Sequence, residues 1–213
     1  MTTKTLTYLF DPLCGWCYGA SPAIQKLGQH ATIRLALAPT GLFAGAGGRV
    51  MDAAFADYAW SNDVRIEKLT GQRFTEDYCT KILGQPGSRF DSATSTLALT
   101  AVALTVPQHE LDALKMLQEA RYIHALDTTA VPVVEKLLRD IGLDAAADRL
   151  AAGDTELLAA NAARIQKAQG LMQTFGAQGV PALVVTDENG SRLLRGNALY
   201  GSFDVLLSHI AAA

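Results

Sequence analysis

Asp11-Pro12-Leu13-Cys14-Gly15-Trp16-Cys17-Tyr18-Gly19 stands between two different structural codes. Before it, Lys4 to Phe10 (KTLTYLF) is short, rich in Thr, Leu, Tyr and Phe, and stopped by Asp11-Pro12, which predicts a strand. After it, Cys17, Ala20, Ile24 and Leu27 recur on one helical face, which predicts a helix from Gly15 to about Gln29, bent at Pro22. The two cysteines therefore sit where a strand ends and a helix begins. A helix N-terminus offers unpaired N–H groups and the positive end of the dipole, and both favour a thiolate over a thiol. Positions i and i+3 lie one turn apart, within reach of a disulfide. Cys17 lies on the apolar stripe and is expected to be shielded, whereas Cys14, ahead of the helix, is expected to be exposed. A bridge closing so short a loop adds little stability and suits redox turnover better than stapling.

Working outward, Thr32 to Ala38 alternates Ile33, Leu35 and Leu37 and stops at Pro39, a second strand that completes a parallel β-α-β unit. Gly41 to Gly48 (GLFAGAGG) is a loop read as a hinge. It ends in Gly48-Arg49-Val50, without the Lys-Ser/Thr of a phosphate-binding loop. From Met51 to Phe175 the pattern is helical: 52–69, 75–83, 91–106, 110–126, 131–141, 144–152 and 155–175, the last with Asp154 as N-cap. After Gly179 the code reverts. Ala182 to Thr186 and Arg192 to Arg195 flank the turn Asp187-Glu188-Asn189-Gly190, and Ser202 to Ile210 closes as a helix. The predicted fold class is α/β. Segments 1–40 and 176–213 form one discontinuous sheet domain, β-α-β then β-β-α, and 41–175 is a large all-helical insertion. The two ends must meet, because neither alone covers its apolar face.

Composition narrows the function classes. The chain has 213 residues, 49% of them hydrophobic and 18% charged, with a net charge of -3. That excludes a disordered chain. Lys+Arg is 18 against Asp+Glu 21, with no basic block, which argues against nucleic acid as a partner. No apolar run reaches the length of a membrane span. The N-terminal MTTKTLTYLFDPLCGWC leaves no room for a removable leader before Cys14, so a cytoplasmic location is expected if Met1 is the true start. Three cysteines are too few, and odd in number, for a disulfide scaffold. No metal is expected: Cys79 is isolated, and His30, His109, His124 and His209 form no pair at a ligand spacing.

With a β-α-β unit, CxxC at the first helix and a Val-Pro pair before a strand, the sequence resembles the thioredoxin fold. The helical insertion and Phe175-Gly176-Ala177-Gln178-Gly179-Val180-Pro181 narrow the resemblance to the DsbA-like family. The stretch from Asp11 to Gly19 is most similar to that family's leaderless protein-disulfide-isomerase and FrnE-like members. The resemblance implies a thiol–disulfide oxidoreductase of reductase or isomerase type with Cys14 and Cys17 as its redox pair. It implies a cis peptide bond before Pro181, and substrate contacts from Trp16, Val180 and Pro181, with Val180 offering its backbone to an extended peptide. Substrates would be protein or small-molecule thiols and disulfides. No cofactor is implied beyond glutathione or another thiol as co-substrate. Gly15-Trp16 is neither the Pro-His of the strongly oxidising periplasmic members nor the Gly-Pro of thioredoxin, so the direction of electron flow is not carried over.

Two other readings share the layout. Kappa-class glutathione transferases and chromene-carboxylate isomerases carry Ser where Cys14 stands. A peptide-binding module would use the groove without redox turnover. Among other residues, Asp11 is a turn residue with a possible second role as proton relay. Phe43, Trp60 and Tyr18 are candidates for a groove wall or for packing. Cys79 is expected to be a small buried residue. Tyr122, His124 and Asp127 read as packing and capping at a helix end.

Overall fold

The computed structural model describes residues 4–212. In chain order the elements begin with β1 (Lys4–Phe10), α1 (Gly15–Gly19), α2 (Ser21–Gly28), β2 (Ile33–Pro39), β3 (Arg49–Val50), α3 (Ala53–Thr70) and α4 (Glu76–Tyr78). They continue with β4 (Arg89–Phe90), α5 (Ala93–Thr105), α6 (Glu110–Tyr122), α7 (Val131–Asp140), α8 (Asp144–Ala152) and α9 (Thr155–Phe175). The chain closes with β5 (Ala182–Asp187), β6 (Gly190–Arg195) and α10 (Phe203–Ala211). The main sheet runs β2-β1-β5-β6. β1 pairs in parallel with β2, Leu6 opposite Leu35, and antiparallel with β5, Leu9 opposite Ala182. The two chain ends thus meet in one sheet, with β1 at its centre.

Both faces of β1 are covered, which is why its C-terminal half is apolar at consecutive positions. Leu6, Tyr8 and Phe10 face Cys17, Ala20, Ile24 and Leu27 of α1 and α2, with Leu206 and Ile210 of α10 in the same cluster. Leu9, Ala182 and Val184 face Ala168 of α9. Between the sheet and the helices, the Arg164 guanidinium of α9 pairs with the Glu110 carboxylate of α6 and donates to Thr100 Oγ1 (3.2 Å) and the Leu37 carbonyl (3.3 Å). Arg164→Met would leave a largely buried carboxylate without its cation. A loss of about 2–3 kcal/mol is expected, below the range for fully buried pairs because the arginine is partly solvated. Urea unfolding of the variant measures it.

The helix predicted from Gly15 to Gln29 is two helices, broken at Ala20. Pro22 has no N–H to give the Tyr18 carbonyl, which instead accepts a backbone N–H in the C-terminal cap of α1. The side-chain amide of Gln72 also donates to the Tyr18 carbonyl, at 3.3 Å. The insertion is not all helical, because β3 and β4 form a two-residue antiparallel ladder, Arg49 opposite Phe90. Segment 110–126 stops at Tyr122, where Thr75 donates from both its N–H (3.1 Å) and its hydroxyl (3.2 Å) to the Tyr122 carbonyl. Cys79 is partly exposed rather than buried, and it stands at the start of a wide π-type turn, Cys79–Leu83. The Gly41–Gly48 loop is no open hinge. Phe43 N–H donates to Asp11 Oδ2 (3.0 Å) and Ser92 N–H to the Phe43 carbonyl (3.0 Å).

Candidate active site

Cys14 is the N-cap of α1, with extended backbone (φ -82, ψ 115). Its N–H donates to the Asp11 carbonyl (3.1 Å), and its carbonyl accepts from Tyr18 (3.0 Å). This Asp-Pro turn aims Sγ across the sheet edge. There the Cys14 thiol meets the Val180 carbonyl at 3.6 Å, 166 positions away in sequence. The Val180–Pro181 peptide is cis, and Pro181 is buried. Cys17 is 1% exposed and Cys14 7%. The order of accessibility is the expected one, yet Cys14 is not the exposed sulfur the sequence suggested. The Val180 backbone covers it on one side and a cavity wall on the other. Burial pushes the Cys17 thiol well above its ordinary range, and the adjacent Cys14 sulfur adds to the shift.

Trp16 is half-buried against Tyr200, ring centroids 5.4 Å apart, and the Tyr200 hydroxyl donates to the Trp16 carbonyl (3.0 Å). The Arg65 guanidinium lies over the indole at 5.8 Å. Cys14 at the head of α1 thus adjoins Trp16 in the cavity lining and Val180 through its thiol.

Asp11 is 0% exposed. Its carboxylate accepts from Leu13 N–H (2.9 Å), Phe43 N–H (3.0 Å) and Ser92 hydroxyl (2.8 Å). Burial raises its pKa, while the three donors pull the other way. It thereby ties the turn before Cys14 to the 41–48 loop and to the head of α5. Asp11→Ala orphans three donors, each worth about 1–3 kcal/mol when buried and unmet. A total loss of about 3 kcal/mol is expected, with faster amide exchange at Leu13 and Phe43. Unchanged exchange at Phe43 would refute the tie.

On the far side of Cys14 lies a cavity of about 210 Å³. Leu13, Gly15 and Trp16 line it together with Phe43, Phe90 and Tyr122, and α3 adds Phe55, Tyr58, Ala59, Asn62, Asp63 and Ile66. Phe43 belongs to this wall. Tyr18 and Trp60 instead pack in the aromatic cluster behind it, Tyr18 stacked on Tyr122 with centroids 4.8 Å apart. The Tyr122 hydroxyl donates to the Leu13 carbonyl (2.8 Å), so the residue read as packing also fixes the turn before Cys14. Asp127 caps locally, accepting from Thr129 N–H (3.0 Å).

Sequence reading missed Asp63. It is 5% exposed, accepts from the Tyr78 hydroxyl (3.1 Å), and is pushed up to about 7 by burial, against the pull of that hydrogen bond and of Arg121. A Cβ on Gly15 would stand 2.3 Å from its Oδ1, and one on Gly19 would stand 2.6 Å from Ile66 Cγ2. The two glycines let α3 press onto α1. The available signal was an acid on an apolar stripe, since Ala56, Ala59, Asp63 and Ile66 share one face of α3.

Among the described residues, no group of three His, Cys, Asp or Glu side chains converges as a metal site, and no helix is long and apolar enough to cross a membrane.

The model of the DSBA-like thioredoxin domain matches residues 5–210. The structure of the cytosolic disulfide reductase DsbM from Pseudomonas aeruginosa superposes with a TM-score of 0.85 at 28% identity, over 97% of each chain. The same protein with GSH gives 0.83, at the same identity and coverage. A protein from Nitrosomonas europaea gives 0.81 at 22% identity, over 98% of this chain and 96% of that one. No curated protein sequence matches.

Proposed function

The chain belongs to the DSBA-like thioredoxin domain family, the DsbA-like thiol–disulfide oxidoreductases, and from that premise we propose that it is a cytoplasmic disulfide reductase working through Cys14 and Cys17. The observation that carries this reading is the Cys14 sulfur at 3.6 Å from the Val180 carbonyl, with Cys17 buried beside it. The Cys14 thiolate attacks one sulfur of the substrate disulfide, forming a mixed disulfide and releasing the other half as a thiolate. Cys17 gives up its proton and attacks Cys14 Sγ, and the second half leaves as a thiolate. The protein is left oxidised, and two electrons have passed to the substrate. Raised as it is by burial, Cys17 stays a thiol until the mixed disulfide has formed. Val180 pairs with the substrate backbone, Pro181 leaves that edge free of a competing N–H, and Trp16 covers the entering sulfur. Asp11 positions the turn; its three donors favour that role over proton relay.

Glutathione is the proposed reductant of the Cys14–Cys17 disulfide, supported by the related DsbM described with GSH. The reducing direction rests on a cytosolic location, as in that relative. Isomerase activity would use the same first step. The presence of Cys14 together with Cys17 disfavours the transferase and chromene-carboxylate isomerase readings. The test is the potential of the Cys14/Cys17 couple equilibrated against glutathione buffers, with insulin reduction alongside. A reductase recharged by glutathione requires a value near that of the cytosolic glutathione pool, whereas a DsbA-type oxidant lies near about −120 mV. The latter result would reverse the proposed direction.

A further inference from the structure

Of the residues lining the cavity beside Cys14, none described is lysine, arginine or histidine, and Asp63 is the only carboxylate. All the other walls are apolar or aromatic, apart from Asn62, the Cys14 thiol and the hydroxyls of Tyr58, Tyr78 and Tyr122. Arg121 does not line it. Its guanidinium lies over the rings of Tyr78 (5.6 Å) and Phe90 (5.4 Å), and Nε and Nη1 have no hydrogen-bond partner among the described residues.

We propose that Asp63 determines substrate specificity: the cavity takes an uncharged apolar group borne beside the attacked sulfur and excludes an anionic one. The inference rests on the oxidoreductase reading and names the substrate class for it. The sulfur to be attacked must reach Cys14, which lies between the Val180 carbonyl and the cavity. A chain running along Val180 and held at its sulfur therefore presents a neighbouring side chain to the cavity. A volume of about 210 Å³ admits one branched or aromatic side chain and no folded segment. Apolar walls favour its burial. A carboxylate placed there would lose its water, find no cation on the wall, and face a second carboxylate once Asp63 ionises. The groups facing Asp63 are Tyr78 from α4, Cys79 from the turn after it, Tyr122 and Arg121 from α6, and Cys14 at the head of α1, with Tyr58 and Asn62 on its own helix. Glutathione, with a carboxylate at each end, would have to leave both ends outside.

The experiment uses the full-length reduced protein and symmetrical disulfides of N-acetyl-Cys-Xaa-amide, with Xaa Gly, Leu or Glu. Either sulfur of such a probe presents the same group. Each turnover converts the protein dithiol and one probe disulfide into the protein disulfide and two probe thiols. Single-turnover rates are read by mass spectrometry. The Leu probe is expected to react about ten-fold faster than Gly, and Glu slower than Gly. The Gly-to-Glu ratio is expected to rise with pH through neutrality, and Asp63→Asn to flatten that rise. Ionisation of the attacking thiol cancels in the ratio, so a purely structural role for Asp63 would not move it. Equal rates for Leu and Gly overturn the apolar preference, and a pH-dependent ratio that survives Asp63→Asn overturns the assignment to Asp63. No reaction with any probe overturns the oxidoreductase reading itself.

Discussion

Cys14→Ser is expected to lower disulfide-reductase turnover by at least about 10³-fold, the scale seen when a covalent nucleophile is removed. Cys17→Ser is expected to stop turnover at a different step. Serine at position 14 is a poor nucleophile at neutral pH and a poor leaving group, so neither the first exchange nor its reverse proceeds. In Cys17→Ser the first exchange is intact, because Cys14 keeps its N-cap position and its contact with Val180. What is lost is the second attack, so the mixed disulfide on Cys14 accumulates and intact-mass measurement finds the protein plus one substrate half. With serine at position 17, where the cysteine is 1% exposed, no internal thiol is left at the mixed disulfide to resolve it. Insulin reduction that persists in Cys14→Ser removes Cys14 from the chemistry. A Cys17→Ser protein that turns over without adduct removes Cys17 from the resolving role. Cys14→Ser is expected to cost little stability, because its hydroxyl has the Val180 carbonyl as an acceptor.

These outcomes were accessible from the chain because the signals lie close together in sequence. Strand, Asp-Pro stop, Cys14, Cys17 and the Ala20/Ile24/Leu27 stripe fall within two dozen residues, and the Asp187–Gly190 turn fixes the β5–β6 hairpin locally. Asp154 announces α9 by its own capping bond to Leu157 N–H (2.8 Å). The cavity follows a different logic. Its wall is assembled from the 41–48 loop, α3, α4, β4 and α6, and the stripe on α3 marks a buried face without saying that α1 is what it meets. Gly15 and Gly19 carry that information only once α3 is seen against them, since a missing side chain does not name its neighbour. Strands of two residues, such as β3 and β4, are too short to show an alternation, and the π-type turn after Tyr78 has the same composition as a regular helix.

Asp63→Asn is expected to stabilise the protein, and to do so only as pH rises. In the unfolded chain Asp63 ionises near the ordinary value of 3.8, and in the folded protein near about 7. Below about pH 4 both states carry the proton and the group contributes no pH dependence. Between about 4 and about 7 the folded state keeps a proton that the unfolded state has released, so stability falls as pH rises through that window. Above it both forms are ionised and the loss is constant. One proton held over about three pH units corresponds to at most about 4 kcal/mol, and relaxation of a buried site reduces this to about 2–3. Asparagine has no proton to lose, matches the protonated acid in shape, and still accepts from the Tyr78 hydroxyl. The gap between variant and wild type in urea unfolding should therefore open from about pH 4 to about pH 7 and then hold steady. Glu110, also raised by burial, titrates alike in both proteins and cancels. Stability curves that stay parallel across this range would show that the Asp63 carboxylate is solvated. A solvated carboxylate could not also exclude anions from the cavity. The stability measurement, which involves no substrate, thus bears on the specificity assignment. An acid that costs stability near neutral pH, packed against Gly15 of the redox motif, is out of place in a purely structural role and fits one in choosing what reaches Cys14.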